Sequence, residues 1–206
     1  MKCIECGAST MSNLVCFQCR RAKLKKSPKE MIPATVPPII VKQLENDSDL
    51  SLLLKDLSPT IDSSFYLWGA AGVGKSHQAA ALLYQIKQNN MDKIFSWINV
   101  PSLLLQIRDT FQNKSTQTSE LEIVKFYSEV DWLCLDDLGA EKSSDWSLQT
   151  LYLIVNERYE QEKTTIITSN LSLSELSDKL QDDRLSSRIA GMCEVIHMDG
   201  IDRRTK

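Results

Sequence analysis

The chain has 206 residues and no run of about 18 apolar ones, which excludes a membrane-spanning helix. Its first residues, Met1-Lys2-Cys3-Ile4-Glu5-Cys6, lack the apolar core of a secretory signal. A cytoplasmic protein is therefore expected. There is no internal repeat and no long low-complexity tract, which excludes solenoid architectures. What is present is ordinary for a soluble globular chain: 42% hydrophobic and 25% charged residues. The length suffices for one full core plus a small appendage.

The net charge of −3 conceals an asymmetry. Residues 1–30 carry seven Lys or Arg against two Glu, a net of +5, which leaves −8 for the remainder of a chain totalling −3. A basic N-terminal segment of this kind suits nucleic acid, an acidic protein partner, or simply a solvated tail. The six cysteines divide in the same way. Cys3, Cys6, Cys16 and Cys19 form C-x2-C-x9-C-x2-C, whereas Cys134 and Cys193 stand alone in apolar runs and read as buried thiols. Two thiolates on each of two tight knuckles suit a tetrahedral structural Zn²⁺ site. Redox C-x-x-C pairs and disulfides are the alternatives; a cytosolic setting disfavours disulfides, and no βαβ pattern surrounds the pairs. So short a module builds no core, so a bound metal supplies its folding energy, on the order of 10 kcal/mol or more.

Residues 69–76 read G-A-A-G-V-G-K-S, a match to the phosphate-binding pattern G-x-x-x-x-G-K-[ST]. Phe65-Tyr66-Leu67-Trp68 before it is a buried-strand run, and Ala79, Ala80, Leu83 and Ile86 after it have helical spacing. In that context the main-chain N–H groups of Gly69, Ala70, Ala71, Gly72, Val73 and Gly74 curl around phosphate oxygens at a helix N-terminus. Lys75 reaches the β- and γ-phosphates, the Ser76 hydroxyl binds Mg²⁺, and His77 completes the ATP-binding run. The competing reading is a glycine-rich turn that binds nothing.

Downstream, strands and helices alternate. Strands are expected at Ile94 to Val100, Trp132 to Leu135, Thr164 to Thr168 and Cys193 to His197. Helices are expected after Pro101, after a Ser119/Glu122 capping box, from Asp145 to Glu162, from Leu173, and around Asp183 to Ile189. Such alternation implies an α/β fold with a parallel sheet covered by helices on both faces. The strand at 132–135 runs into Asp136-Asp137, a Walker B pattern. Asp136 is assigned to Mg²⁺ and Asp137 to orienting or deprotonating the attacking water. The next strand closes on Ser169-Asn170, where a polar side chain reaches the attacking water or γ-phosphate unless it merely caps a helix. Arg184 and Arg188 lie four apart on one helix face, each suited to stabilising phosphoryl-transfer charge or to a surface ion pair with Asp182 or Asp183.

G-K-S-H (74–77), L-D-D-L-G-A-E (135–141), E-R-Y (157–159), I-I-T-S-N-L (166–171), R-L-S-S-R-I (184–189) and G-I-D-R-R (200–204) cover most of residues 65–204. With these stretches the chain resembles the DnaC/DnaI-type helicase loaders, AAA+ ATPases close to the IstB-type transposition ATPases. The resemblance implies a P-loop NTPase fold of the AAA+, ASCE type without a C-terminal helical lid. It implies Asn170 as the sensor on the strand between the two Walker strands, and Arg188, ahead of Arg184, as an arginine supplied to a neighbouring subunit. It places residues 101–130 near single-stranded DNA, with Arg108 and Lys114 as phosphate contacts. It makes the zinc module the element that grips a replicative helicase.

The expected organisation is a zinc module with a basic tail at 1–26, a proline-bearing linker at 27–59 with room for a short helix from Leu44 to Leu57, and an ATPase domain at 60–206. The expected function is an ATPase that loads a replicative helicase, assembles through ATP-bridged interfaces, and uses ATP, Mg²⁺ and Zn²⁺. A transposition helper ATPase and a regulatory nucleotide-binding module that barely hydrolyses ATP are the alternatives. A small-molecule P-loop kinase fits less well, because no acceptor-site segment is evident.

Overall fold

A computed structural model describes residues 34–46, 62–90, 93–112 and 119–202. Its elements, in chain order, are α1 (Pro38–Asn46), β1 (Phe65–Trp68), α2 (Lys75–Asn89), β2 (Phe95–Asn99), α3 (Val100–Gln112), α4 (Glu120–Glu129), β3 (Trp132–Leu138), α5 (Asp145–Glu160), β4 (Thr164–Ser169), α6 (Leu173–Leu180), α7 (Arg184–Met192) and β5 (Glu194–His197). The strands form one sheet in the order β2-β3-β4-β1-β5, with every pairing parallel. All C-terminal strand ends therefore open on one edge, where ligands of such sheets bind. Among the described residues no helix is long and apolar enough to cross a membrane.

The period-2 rule of strands sorts the core into two layers. Phe65, Leu67, Trp97, Cys134 and Ile166 pack with α2 (Ala79 to Tyr84) and with Val36, Ile40 and Leu44. Tyr66, Ile98, Leu133, Leu135 and Ile167 face the other way, against side chains of α3 to α7. Each fully buried large aliphatic or aromatic side chain contributes about 1.5–3 kcal/mol. β4 lies between β3 and β1 and is buried along its whole length. It carries four hydroxyl residues; two are committed across the sheet to β3 and one to α5. Thr165 Oγ1 accepts from Arg158 Nε at 2.9 Å, Thr168 Oγ1 donates to Asp136 at 2.6 Å, and Ser169 Oγ donates to Leu138 O at 2.6 Å.

Two elements differ from the sequence reading. The segment read as linker contains α1, which packs on α2 through Ile40 and Leu44. Pro38 sits at the first helical position, where its missing N–H goes unused, and Ile40 N–H and Val41 N–H bond Pro37 O at 2.9 and 3.3 Å. Val36, Ile40 and Leu44 recur every four residues, so a proline pair that looked like an extension signal starts an amphipathic helix. Second, β3 does not stop at Leu135. It continues through both acids to Leu138, which pairs with Ser169 after a register shift. The Ser119/Glu122 capping box forms as expected, with Glu122 N–H on Ser119 Oγ at 3.2 Å and Ser119 N–H on the Glu122 carboxylate at 2.6 Å. The Cys3, Cys6, Cys16 and Cys19 set, the basic run after it and Lys114 lie outside the described residues.

Candidate functional site

The loop from Gly69 to Gly74 connects β1 to α2 at the C-terminal edge of the sheet. Gly69 (φ 147°) is pressed against the residue that follows β5: a Cβ there would lie 2.2 Å from Met198 O. Met198 N–H bonds Trp68 O at 2.7 Å, and the Trp68 and His197 rings stack at 4.0 Å, so this side of the loop is fixed by β1–β5 pairing. Gly72 (φ 81°) is covered by Asp202, whose Oδ1 would stand 1.9 Å from any Cβ added. Gly72→Ala therefore meets left-handed strain, and the Asp202 carboxylate swings aside to admit the methyl group. A loss of about 2 kcal/mol in urea unfolding is expected, and an unchanged midpoint would show that the loop relaxes freely.

Lys75 opens α2 and is only 6% exposed. Its ammonium donates to Gly69 O at 2.9 Å, Ala70 O at 2.8 Å and Asn170 Oδ1 at 2.7 Å. Ser76 Oγ donates to Asp136 Oδ1 at 2.8 Å, and Thr168 Oγ1 donates to the same oxygen at 2.6 Å. Burial raises the Asp136 carboxyl above its ordinary range, while the Thr168 and Ser76 hydrogen bonds act in the opposite direction. Asp137 adopts φ 61°, a left-handed conformation rare for a residue with a side chain, at the register shift in β3. Its N–H bonds Thr168 Oγ1 at 2.9 Å, and its Oδ2 accepts from Asn99 Nδ2 at 3.3 Å.

Lys75, Ser76, Asp136, Asp137 and Asn170 are thus brought together from β1–α2, β3 and the end of β4. Asn170 does not cap α6; Ser172 does, in a capping box with Glu175. Ala70 and Ala71 are exposed, Val73 is buried, and His77 is half-buried in the first turn of α2. The two α7 arginines diverge. Arg184 is tied to Asp182, Nη2 to Oδ2 at 2.6 Å, the ion pair that was its alternative reading. Arg188 makes no ion pair among the described residues; its Nε donates to Asn156 Oδ1 at 2.7 Å. Arg108 on α3 lies over the Trp146 ring at 5.4 Å. Cys134 and Cys193 are buried and free, and burial pushes both thiols up.

Two residues of the site escaped sequence reading. Thr168 bridges both acids, and Asn99 holds the second. Asn99 ends β2 and pairs in register with Asp136, so a polar residue closing the strand beside the Walker B strand was the available signal.

The glycine-turned loop, the helix it opens and the buried strand-end acid define a P-loop fold, and the parallel order β2-β3-β4-β1-β5 is that of its AAA+ branch. Residues 60–206 match the IstB-like ATP-binding proteins, and the chain belongs to that family. It is 28% identical to the replicative helicase loader DnaC of Escherichia coli (strain K12) over 127 residues, 62% of this chain and 50% of that protein. It is 26% identical to the replicative helicase loader DnaI of Bacillus subtilis (strain 168) over 151 residues, 68% of this chain and 47% of that protein. The chain thus spans about half the length of these curated relatives. A crystal structure of the DnaC helicase loader superposes with a TM-score of 0.59 at 23% identity, over 87% of this chain and 99% of that one. AMPPCP-bound DnaA from Aquifex aeolicus gives 0.59 at 18% identity, over 85% of this chain and 50% of that one. At these identities the likeness is one of fold.

Proposed function

We propose that this protein is an ATP-dependent loader of a replicative DNA helicase. The observation that carries the reading is the convergence of Lys75, Ser76, Asp136 and Asn170 at the strand ends, in a chain whose relatives include DnaC and DnaI. ATP binds along Gly69–His77, with main-chain N–H groups and Lys75 on its phosphates. A hard divalent cation fits the two oxygens that Ser76 and Asp136 already bring within 2.8 Å, and burial of Asp136 leaves a charge for it to compensate. When bound, Mg²⁺ neutralises phosphate charge. Asp137, steadied by Asn99, orients the attacking water and takes its proton. Asn170 gives up Lys75 to the γ-phosphate and reads its presence. Arg188 completes the site of a neighbouring copy.

Single-stranded DNA lies along α3 and the following segment, near Arg108 and Lys114. The N-terminal module, residues 1–26, folds around one zinc held by Cys3, Cys6, Cys16 and Cys19 and grips the helicase. Hydrolysis releases the loader. In a pull-down with a replicative helicase, the full chain captures it in ATP, and a chain lacking residues 1–30 does not. Asp137→Asn binds ATP, turns it over about 100-fold more slowly or worse, and holds the helicase longer. Failure of the full chain to capture any replicative helicase sinks this reading. The match to IstB-like ATP-binding proteins favours one other, a transposition helper ATPase. Tighter binding to duplex than to single strands at matched salt would select it.

A further inference from the structure

The guanidinium of Arg188 is held from two sides by α5. Its Nε donates to Asn156 Oδ1 at 2.7 Å, and its Cζ lies over the Tyr159 ring, 5.0 Å from the centroid. Asn156 is itself fixed: its Nδ2 donates to Glu160 Oε1 at 2.8 Å, one turn on. A flipped amide would set donor against donor at Arg188 and acceptor against acceptor at Glu160, so only one orientation of Asn156 satisfies both neighbours. Room for the ring comes from α7. Gly191 lies in the last turn of that helix, and a Cβ there would approach Tyr159 Cε2 to 3.1 Å. Among the described residues the two terminal nitrogens of Arg188 have no hydrogen-bond partner. Arg184 also lies against an α5 ring, Tyr152 at 5.3 Å, but its Nε and Nη2 are both spent on the Asp182 carboxylate.

We propose that Asn156 and Tyr159 are positioning residues that present Arg188 to the nucleotide of a neighbouring copy. The inference rests on the reading of Arg188 as an arginine supplied in trans. The long arginine side chain loses rotamer entropy when it is ordered. Tethering it at Nε and across its face sets that cost against contacts within the subunit. The two Nη groups are then left for the phosphates of the partner's ATP, which accept hydrogen bonds from a planar fork. A misplacement of about 1 Å in such a group costs up to about 100-fold in rate.

The test uses the full chain in mixtures. Arg188→Ala protein has an intact P-loop but no arginine to supply, so it accepts. Asp137→Asn protein turns over its own ATP about 100-fold more slowly or worse, so it donates. Their mixture regains turnover. Adding Asn156→Ala to the donor cuts the regained kcat about tenfold, with the acceptor's KM for ATP unchanged. Tyr159→Leu in the donor acts in the same direction, and Tyr159→Phe, which keeps the ring face, restores most of that loss. Each donor's own ATP affinity stays at the Asp137→Asn value, a readout that a merely structural defect would move. Equal regain from Asn156→Ala and unaltered donors overturns the positioning role, as does lost ATP affinity in the Asn156→Ala donor. No regain with the Asp137→Asn donor alone overturns the trans reading, and the inference with it.

Discussion

Lys75→Ala protein loses ATP affinity by on the order of 100-fold or more in calorimetric titration. Two charge-assisted contacts of about 1.5–3 kcal/mol each disappear with the ammonium. The ligand-free geometry explains why no neighbour substitutes. Lys75 is buried between Gly69 O, Ala70 O and Asn170 Oδ1, all within 2.9 Å, and it is the loop's own cation at the mouth of α2. Removing it also leaves two main-chain carbonyls without this donor, so the loop loosens and the urea midpoint falls modestly. Lys75→Arg does not rescue binding. A planar fork cannot satisfy three acceptors arranged around a point charge, and it is larger than the space available to a side chain only 6% exposed. Unchanged nucleotide affinity in Lys75→Ala would remove the P-loop assignment.

Legibility followed the range over which the physics acts. The P-loop, the capping box at Ser119 and the alternation of strands and helices are local patterns, and they appear where the sequence put them. The path of β3 through Asp136 and Asp137 was not legible. It depends on Thr168, which meets both acids only across the sheet, 31 and 32 residues away, and on Ser169, which bonds Leu138 O beyond them. The same limit applies to Arg184 and Arg188. Their spacing places both on one helix face, and only tertiary packing gives one to Asp182 and the other to Asn156. Asn99 was hidden because a lone Asn at a strand end is ordinary until the neighbouring strand is known. The α1 helix was missed because its stripe of Val36, Ile40 and Leu44 is short and begins on two prolines.

Arg158→Leu lowers stability by about 3–5 kcal/mol, read as a shift of the urea midpoint at constant slope. Arg158 is fully buried, and no ion pair holds it among the described residues. Its Nη1 donates to the main-chain oxygens of Tyr127, Ser128 and Val130, at 3.0, 3.2 and 2.7 Å. Its Nη2 donates to Thr164 O at 2.6 Å and its Nε to Thr165 Oγ1 at 2.9 Å. Burial pushes its pKa down to about 9, with Asp131 acting the other way, so the group stays charged at pH 7. Carbonyl dipoles carry most of the compensation that a carboxylate would otherwise give. One side chain thus ties the end of α4 and the approach to β3 to the start of β4. Leucine fills much of the volume but leaves the carbonyls without these donors, and lysine, with three donors on a flexible stem, recovers only part. Since β3 and β4 carry Asp136, Asp137, Thr168 and Asn170 at their far ends, slack at their starts reaches the site as lost register. The folded fraction of Arg158→Leu should therefore bind ATP more weakly than the unaltered protein. A midpoint shift worth less than about 1 kcal/mol would show that the arginine is dispensable to the sheet.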